Sequence, residues 1–342
     1  IDSWLLWNLT GGAVHATDDT NASRTMLYDL ASGDWSDELC NLFGVPRAAL
    51  PEILASSGRF GTVAPGLGLP EGTPISGIAG DQQASLFGQA CFEPGMTKNT
   101  YGTGSFVLMN VGTERPDAVE GLITTTAWSL PDGAGGRRVT YALEGSIFVT
   151  GAGIQWLRDG LGIIDEAAEV GSLAESVSDT DGVVVVPAFT GLGSPWWDPY
   201  ARGTMLGITR GTTKAHLARA VLESIAYQTR DVVDAMTNAS GTPLAELRVD
   251  GGASAADLLV RIQADQLGVP VRRSRERETT AQGAAFLAGL AEGFWASLDD
   301  VAAAWASDAT FEADGDATVI EANYRRWLEA VERSRGWDRP LA

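Results

Sequence analysis

Along this chain, apolar runs with strand character repeatedly meet glycine turns and continue as amphipathic helices. The clearest case is Leu244 to Val249, then Gly251 and Gly252, then a helical pattern from Ser254 to Leu267. The side-chain period changes from about 2 to about 3.6 across such a turn, as expected where helices cover a sheet. Thr213 to Met236 is the longest helical stretch. Leu217, Val221, Ile225, Val232 and Met236 recur near helical spacing, and Thr212 or Thr213 can cap it. Val183 to Val186 reads as a fully buried strand, Pro74 to Ile78 as a short buried strand, and Thr97 to Val111 as two strands hinged on Gly102 and Gly104. Residues 1 to about 88 read as helical and loop-rich, with an exposed loop between Gly58 and Pro74. The pattern predicts an α/β fold, and 342 residues suit about two domains or one large α/β unit.

Composition limits the chemistry. With 24 Lys and Arg against 44 Asp and Glu, the formal charge of −20 repels nucleic acid and anionic lipid. No apolar stretch approaches the roughly 20 residues that cross a bilayer, so no membrane insertion is expected. Cys40 and Cys91 stand far apart and outside any CxxC spacing, which predicts a reducing, cytoplasmic setting. His15 and His216 are the only histidines, and both read as structural; a zinc cluster or a Ser-His-Asp triad has too little to work with. The chemistry then falls to carboxylates and a bound metal. Arg272 to Arg277 reads as a solvated loop, and Trp196 and Trp197 as residues that pack a loop. Ile1 to Asn8 reads as the middle of a helix with no cap before it, so the chain is expected to be a fragment.

Four glycine-rich turns carry the candidate chemistry. In Gly77 to Gln83 (GIAGDQQ) a strand runs into a turn bearing Asp81, where an acid serves either as a helix cap or as a reactive group. In Thr100 to Phe106 (TYGTGSF) the Gly-Thr-Gly turn is either a tight hairpin or an anion nest. Glu144 to Gln155 (EGSIFVTGAGIQ) has glycines opening a helix, whose first amides favour anions. Asp250 to Gly252 (DGG) offers bare backbone on which a flat ring could lie. Each turn alone is weak evidence.

Their order decides the reading. The segments TDDTNASRTML (Thr17 to Leu27), Gly77 to Phe106, YALEGSIFVTGAGIQWLRDGL (Tyr141 to Leu161), Val185 to His216 and ETTAQGAAFLAGLAEGFW (Glu278 to Trp295) resemble the FGGY carbohydrate kinases over nearly the whole chain. Within that family the likeness is close to members that phosphorylate glycerol. It implies an actin-like, ribonuclease-H-type ATPase architecture of two domains, N-terminally truncated here, with 1–88 the tail of the first domain and 89–342 the second. It also implies ATP and Mg²⁺ as cofactors, with ADP as a product, and a homo-oligomer. Asp81 takes the place of the catalytic base, Gln82 of a residue that hydrogen-bonds the polyol, and Phe106 of one that packs against its carbons. Thr103 takes the place of a phosphate contact, Gly151 and Gln155 lie around the ribose and adenine, and Gly252 where the adenine packs. Ala256 departs from the pattern, since many members carry an adenine-contacting Asn there. No side chain is assigned to the metal. The first phosphate loop has no counterpart in this sequence, so the polypeptide alone is expected to be inactive.

Overall fold

Seven strands pair into one mixed sheet. In chain order they are β1 (Met96–Tyr101), β2 (Ser105–Gly112), β3 (Ile123–Pro131), β4 (Arg137–Ile147), β5 (Glu246–Asp250), β6 (Val271–Ser274) and β7 (Ser307–Phe311). Their order across the sheet is β7-β6-β5-β1-β2-β4-β3. The neighbours β6, β5 and β1 run parallel, and the remaining pairs are antiparallel. The computed structural model describes residues 1–340.

Alternation along β2 shows how the sheet is covered. Val107 and Met109 turn to one face, where with Leu143 they meet Val232, Val233 and Met236 of α3 (Lys214–Ser240). Leu108 turns to the other, against Leu86 and Phe87 of α1 (Asp81–Gly88) and Phe286 and Leu287 of α5 (Thr279–Ala291). Next to α3, α4 (Asp257–Leu267) buries Leu258, Leu259 and Val260 over β5. The remaining elements that matter below are α2 (Gly151–Gln155) and α6 (Ala317–Ser334). Fully burying each large apolar side chain contributes roughly 1.5–3 kcal/mol, so both covered faces are substantial cores.

Helices α1 and α5 cross at two glycines. A Cβ on Gly88 would stand 1.9 Å from the Thr279 carbonyl oxygen, and one on Gly283 would stand 1.8 Å from that of Ala84. Only glycine permits this approach, and it fixes the height of α1 above the sheet.

The α3 helix begins as the sequence predicts, with Thr213 at its cap. The Thr213 amide donates to His216 Nδ1 at 3.0 Å, which gives that histidine a structural role. It runs one turn beyond Met236 and ends at Gly241 in the left-handed conformation. Trp196 also packs a loop as expected, donating to Asp231 at 3.2 Å beside Tyr324 and Trp327 of α6, while burial pushes Asp231 up to about 6. Trp197 ties the same loop to the Gly121 carbonyl oxygen.

Val184–Val186 is a strand as expected, paired with Thr204–Leu206 in a separate two-stranded ribbon. Two expectations need correction. Arg272 and Arg273 are not in a solvated loop, because they lie within β6. Ion pairs from Arg273 to Asp257 and Asp308, and from Arg272 to Glu246, supply the partners that let a charged run stay in a sheet. The segment before Asp81 is less helical than its sequence suggests. It contains a parallel pair, Ala16–Asp18 with Glu52–Leu54, and an antiparallel pair, Ser57–Thr62 with the half-exposed Pro74–Gly77. No helix among the described residues is long and apolar enough to cross a membrane.

Candidate functional site

Asp81 is the first residue of α1, and Gly80 occupies the cap position without a side-chain bond. The capping role open to Asp81 in the sequence is therefore not the one it takes. Its carboxylate is exposed and accepts only the neighbouring Gln82 amide, at 2.8 Å. The turn beneath it is held from far away in the chain. Gly80 donates its amide to Thr20 Oγ1 at 2.8 Å, and the Thr20 hydroxyl donates to Asp18 at 2.8 Å. Asp18 also accepts from the Ser56 hydroxyl and from the amides of Thr20 and Asn21; burial pushes its carboxyl above the usual range against the pull of these bonds. Asp19 beside it binds the Tyr28 and Ser129 hydroxyls and pairs with Arg137. The TDDT segment is thus the footing of the Asp81 turn.

Sheet register places a set of polar side chains on the face that α1 covers. Thr100 lies opposite Phe106 on β2 and Asp250 on β5, while Lys98 lies opposite Leu108, which in turn lies opposite Glu144 on β4. Residues directly opposite in a ladder share a face. Lys98, fully buried, donates to Gln82 Oε1 at 2.5 Å and to Thr100 Oγ1 at 3.1 Å. Burial pulls Lys98 down to about 8, opposed by the charges of Asp250, Glu144 and Asp81. Arg24 grips Glu144 in a two-pronged pair at 2.9 and 3.0 Å, tying the first segment to the sheet. Phe106 keeps 39% of its surface exposed on the same face.

The nucleotide candidates converge elsewhere. Thr103, Gly151, Gln155, Gly252 and Ala256 all line one cavity of about 430 Å³, with Tyr101 among its walls. The two DGG glycines divide the work. Gly251 has φ +84°, and a Cβ there would meet the Tyr101 carbonyl oxygen at 2.5 Å, so it is needed for packing. A Cβ on Gly252 would meet nothing within 4 Å, so its backbone lies bare toward the cavity. The amides that open α2 are not free for an anion, contrary to the sequence reading. Those of Thr150 and Ala152 donate to the Thr103 carbonyl oxygen and that of Gly151 to Gly102. They brace the Gly-Thr-Gly turn instead. A neighbouring cavity of about 450 Å³ shares Gly252 and is lined by Asp250, Arg273, Arg275 and Arg277.

Asp81, Gln82 and Phe106 do not line the cavity that holds the other five; Lys98 and Thr100 bridge from Gln82 toward the Gly-Thr-Gly turn. The sequence reading missed Lys98, Glu144 and Thr20. One signal was available for the first: Lys98 is one of only two lysines in the chain, and it sits inside a strand.

Comparison with known proteins identifies the family. The N-terminal domain model of the FGGY family of carbohydrate kinases matches residues 1–88, and the C-terminal domain model matches 97–292. The chain is 58% identical over 342 residues to a glycerol kinase of Bordetella parapertussis, covering all of this chain and 67% of that protein. It is 56% identical over 339 residues to glycerol kinase 2 of Thermotoga maritima, covering 99% and 67%. A crystal structure of Plasmodium falciparum glycerol kinase with ADP superposes with a TM-score of 0.91 at 38% identity, over 97% of this chain and 66% of that one. A ligand-bound xylulose kinase of Lactobacillus acidophilus shares the fold, with a TM-score of 0.85 at 21% identity. The chain spans about two thirds of the length of these relatives. Two family models in tandem, whole-chain identity above one half and an actin-like ATPase fold with its glycine turns gathered on one cavity lead to one conclusion: the chain belongs to the FGGY family of carbohydrate kinases.

Proposed function

We propose that this chain serves in the ATP-dependent phosphorylation of glycerol, giving sn-glycerol 3-phosphate and ADP in glycerol catabolism. The observation that carries the reading is the convergence of Thr103, Gly151, Gln155, Gly252 and Ala256 on one cavity, from three separated segments of the sequence. The size and apolar back wall of that cavity suit an adenine nucleotide. Similarity to glycerol kinases, one of them solved with ADP, supports the same ligand. The acceptor would lie on the other side of the Gly-Thr-Gly turn, between the exposed Asp81, Gln82 and the open part of Phe106. The sequence division at residue 88 is part of this reading.

Asp81 would orient the acceptor hydroxyl in line with the transferred phosphoryl group and then accept its proton. A carboxylate of ordinary pKa near 4 cannot ionise an alcohol beforehand. In a loose, metaphosphate-like transition state the proton leaves late, so a weak base suffices. Such a group contributes on the order of 10²–10⁴-fold. Gln82 would donate to a polyol oxygen, Phe106 would pack against the carbons, and Thr103, whose amide and hydroxyl make no hydrogen bond among the described residues, would face the phosphates. The described residues form no cluster of three metal-ligating side chains. Mg²⁺ often needs no more than one or two carboxylates plus phosphates, so it would enter on the nucleotide, neutralising phosphoryl charge.

The test is glycerol-dependent ADP release by a polypeptide that also carries the third of its relatives' length lying beyond this chain. Asp81→Asn should lower kcat by about 10²–10⁴-fold with ADP affinity unchanged. Unchanged turnover removes Asp81 from its role, and preference for a pentulose over glycerol in a substrate panel overturns the substrate assignment.

A further inference from the structure

Lys98 is fully buried on the sheet face beneath α1, and no carboxylate lies within ion-pair distance of it among the described residues. Taking an ammonium out of water without a paired anion costs several kcal/mol. A methionine would fill the same space without that cost, so stability alone does not account for the residue. What Lys98 touches is informative. Two of its three protons go to neutral oxygens, Gln82 Oε1 and Thr100 Oγ1. A cationic donor on the carbonyl oxygen of an amide settles which way that amide is turned. Gln82 then presents its NH₂ group, which makes no hydrogen bond among the described residues, beside Asp81.

We infer that Lys98 is a positioning residue for the acceptor alcohol, acting through Gln82 by locking its amide so that the NH₂ donates to a hydroxyl of the bound polyol. This inference rests on the reading of the site as a polyol kinase and deepens it. The lysine is not in contact with substrate. Its charge is held by groups facing it from three elements: Asp250 on β5, Glu144 on β4 and Asp81 on α1, with the Cys91 thiol also near. Losing the proton would weaken the grip on Oε1 and leave the amide free to turn over. Since burial places that loss near pH 8, the acceptor side should loosen in mildly alkaline solution while the nucleotide side does not.

The experiment uses the polypeptide extended as above, with Lys98→Met, Gln82→Leu and the double variant. Four quantities are read: kcat, KM for glycerol, ADP affinity by calorimetry, and the dependence of kcat/KM on pH. Lys98→Met should raise KM for glycerol about tenfold or more and leave ADP affinity within about twofold. The double variant should be no worse than the weaker single one, as for residues acting in one chain of contacts. Wild type should lose kcat/KM for glycerol as pH rises through about 8, and both single variants should lack that limb. Gln82→Leu alters an only partly buried side chain, so its pH profile decides the matter even if Lys98→Met does not fold. Equal loss of ADP and glycerol affinity in Lys98→Met, effects that multiply in the double variant, or an alkaline limb that survives in Gln82→Leu would overturn the inference. A wild type that phosphorylates glycerol alongside an unaffected Lys98→Met sinks this inference alone. A wild type inactive on every polyol sinks the proposed function with it.

Discussion

The two sides of the proposed site, nucleotide and acceptor, are built by different means. On the nucleotide side, shape comes from backbone: Gly251 tucks against the Tyr101 carbonyl, Gly252 lies open, and three amides of the Thr150–Ala152 segment brace the Gly-Thr-Gly turn. On the acceptor side, shape comes from side chains reaching across the chain. Thr20 holds Gly80 over 60 residues, and Arg24 holds Glu144 over 120. The difference teaches that damage should separate. Changes on the nucleotide side should appear as affinity or backbone strain, and changes on the acceptor side as loss of orientation with affinity spared.

The strongest attempt to break that separation is at the crossing of α1 and α5. In Gly283→Ala the new methyl would meet the Ala84 carbonyl oxygen, and α1 would have to lift from the sheet. Overpacking of a backbone-on-backbone contact costs about 2–4 kcal/mol in unfolding free energy. Glycerol turnover should fall further than ADP affinity, because α1 carries Asp81 and Gln82, while α5 reaches the DGG turn only through the Thr279 hydroxyl bond to Asp250. Chemical denaturation and ADP titration check both parts. An equal fall in ADP affinity would mean that the sides move as one body.

Thr20→Val is gentler and more specific. It removes the acceptor of the Gly80 amide and a donor to Asp18 while keeping the shape of the side chain. Asp18 keeps its bonds to Ser56 and Asn21, and leaving the Gly80 amide without its partner costs about 1–3 kcal/mol. The expected signature is a drop in kcat for glycerol of roughly tenfold with ADP affinity intact.

The same contrast explains what could be read from the sequence. The glycine turns that line the cavity were legible because glycine announces a backbone conformation locally, as at Gly251 with its positive φ. The strands around the Gly-Thr-Gly turn and the start of α3 were legible for the same reason: turn residues, periodicity and caps are local. The hold on Asp81 was not, because a threonine that caps nothing in sequence, Thr20, becomes its support only in three dimensions. Periodicity likewise cannot say which sheet a strand joins, so Val184–Val186 was found while its partner Thr204–Leu206 was not. A run of charges hid β6 because the acids that neutralise it, Glu246, Asp257 and Asp308, lie in other segments.

Adjacent glycines sharpen the nucleotide half of the comparison. Gly252→Val adds a side chain in open space over the backbone where a flat ring would lie, so stability should stay within about 0.5 kcal/mol of wild type. ADP affinity should fall about tenfold, equivalent to roughly 1.4 kcal/mol. Gly251→Ala should do the reverse, destabilising the fold through the contact with Tyr101. Finding the two effects exchanged would show that the ring does not lie on Gly252.

The smallest expected effect is a gain. Ala256 lines the cavity at the start of α4, where the family resemblance leads one to expect an adenine-contacting asparagine. A methyl group there neither donates nor accepts, so a base lying in the proposed orientation would have no partner from this residue. Ala256→Asn restores a donor and an acceptor on a partly exposed wall, where a new hydrogen bond contributes about 0.5–1.5 kcal/mol. ADP should bind about two- to tenfold more tightly, with glycerol turnover at saturating ATP unchanged. The gain should also discriminate: an asparagine reading the adenine edge should tighten ADP more than GDP. Equal tightening of both would place residue 256 at the sugar or phosphates and turn the nucleotide around in its cavity.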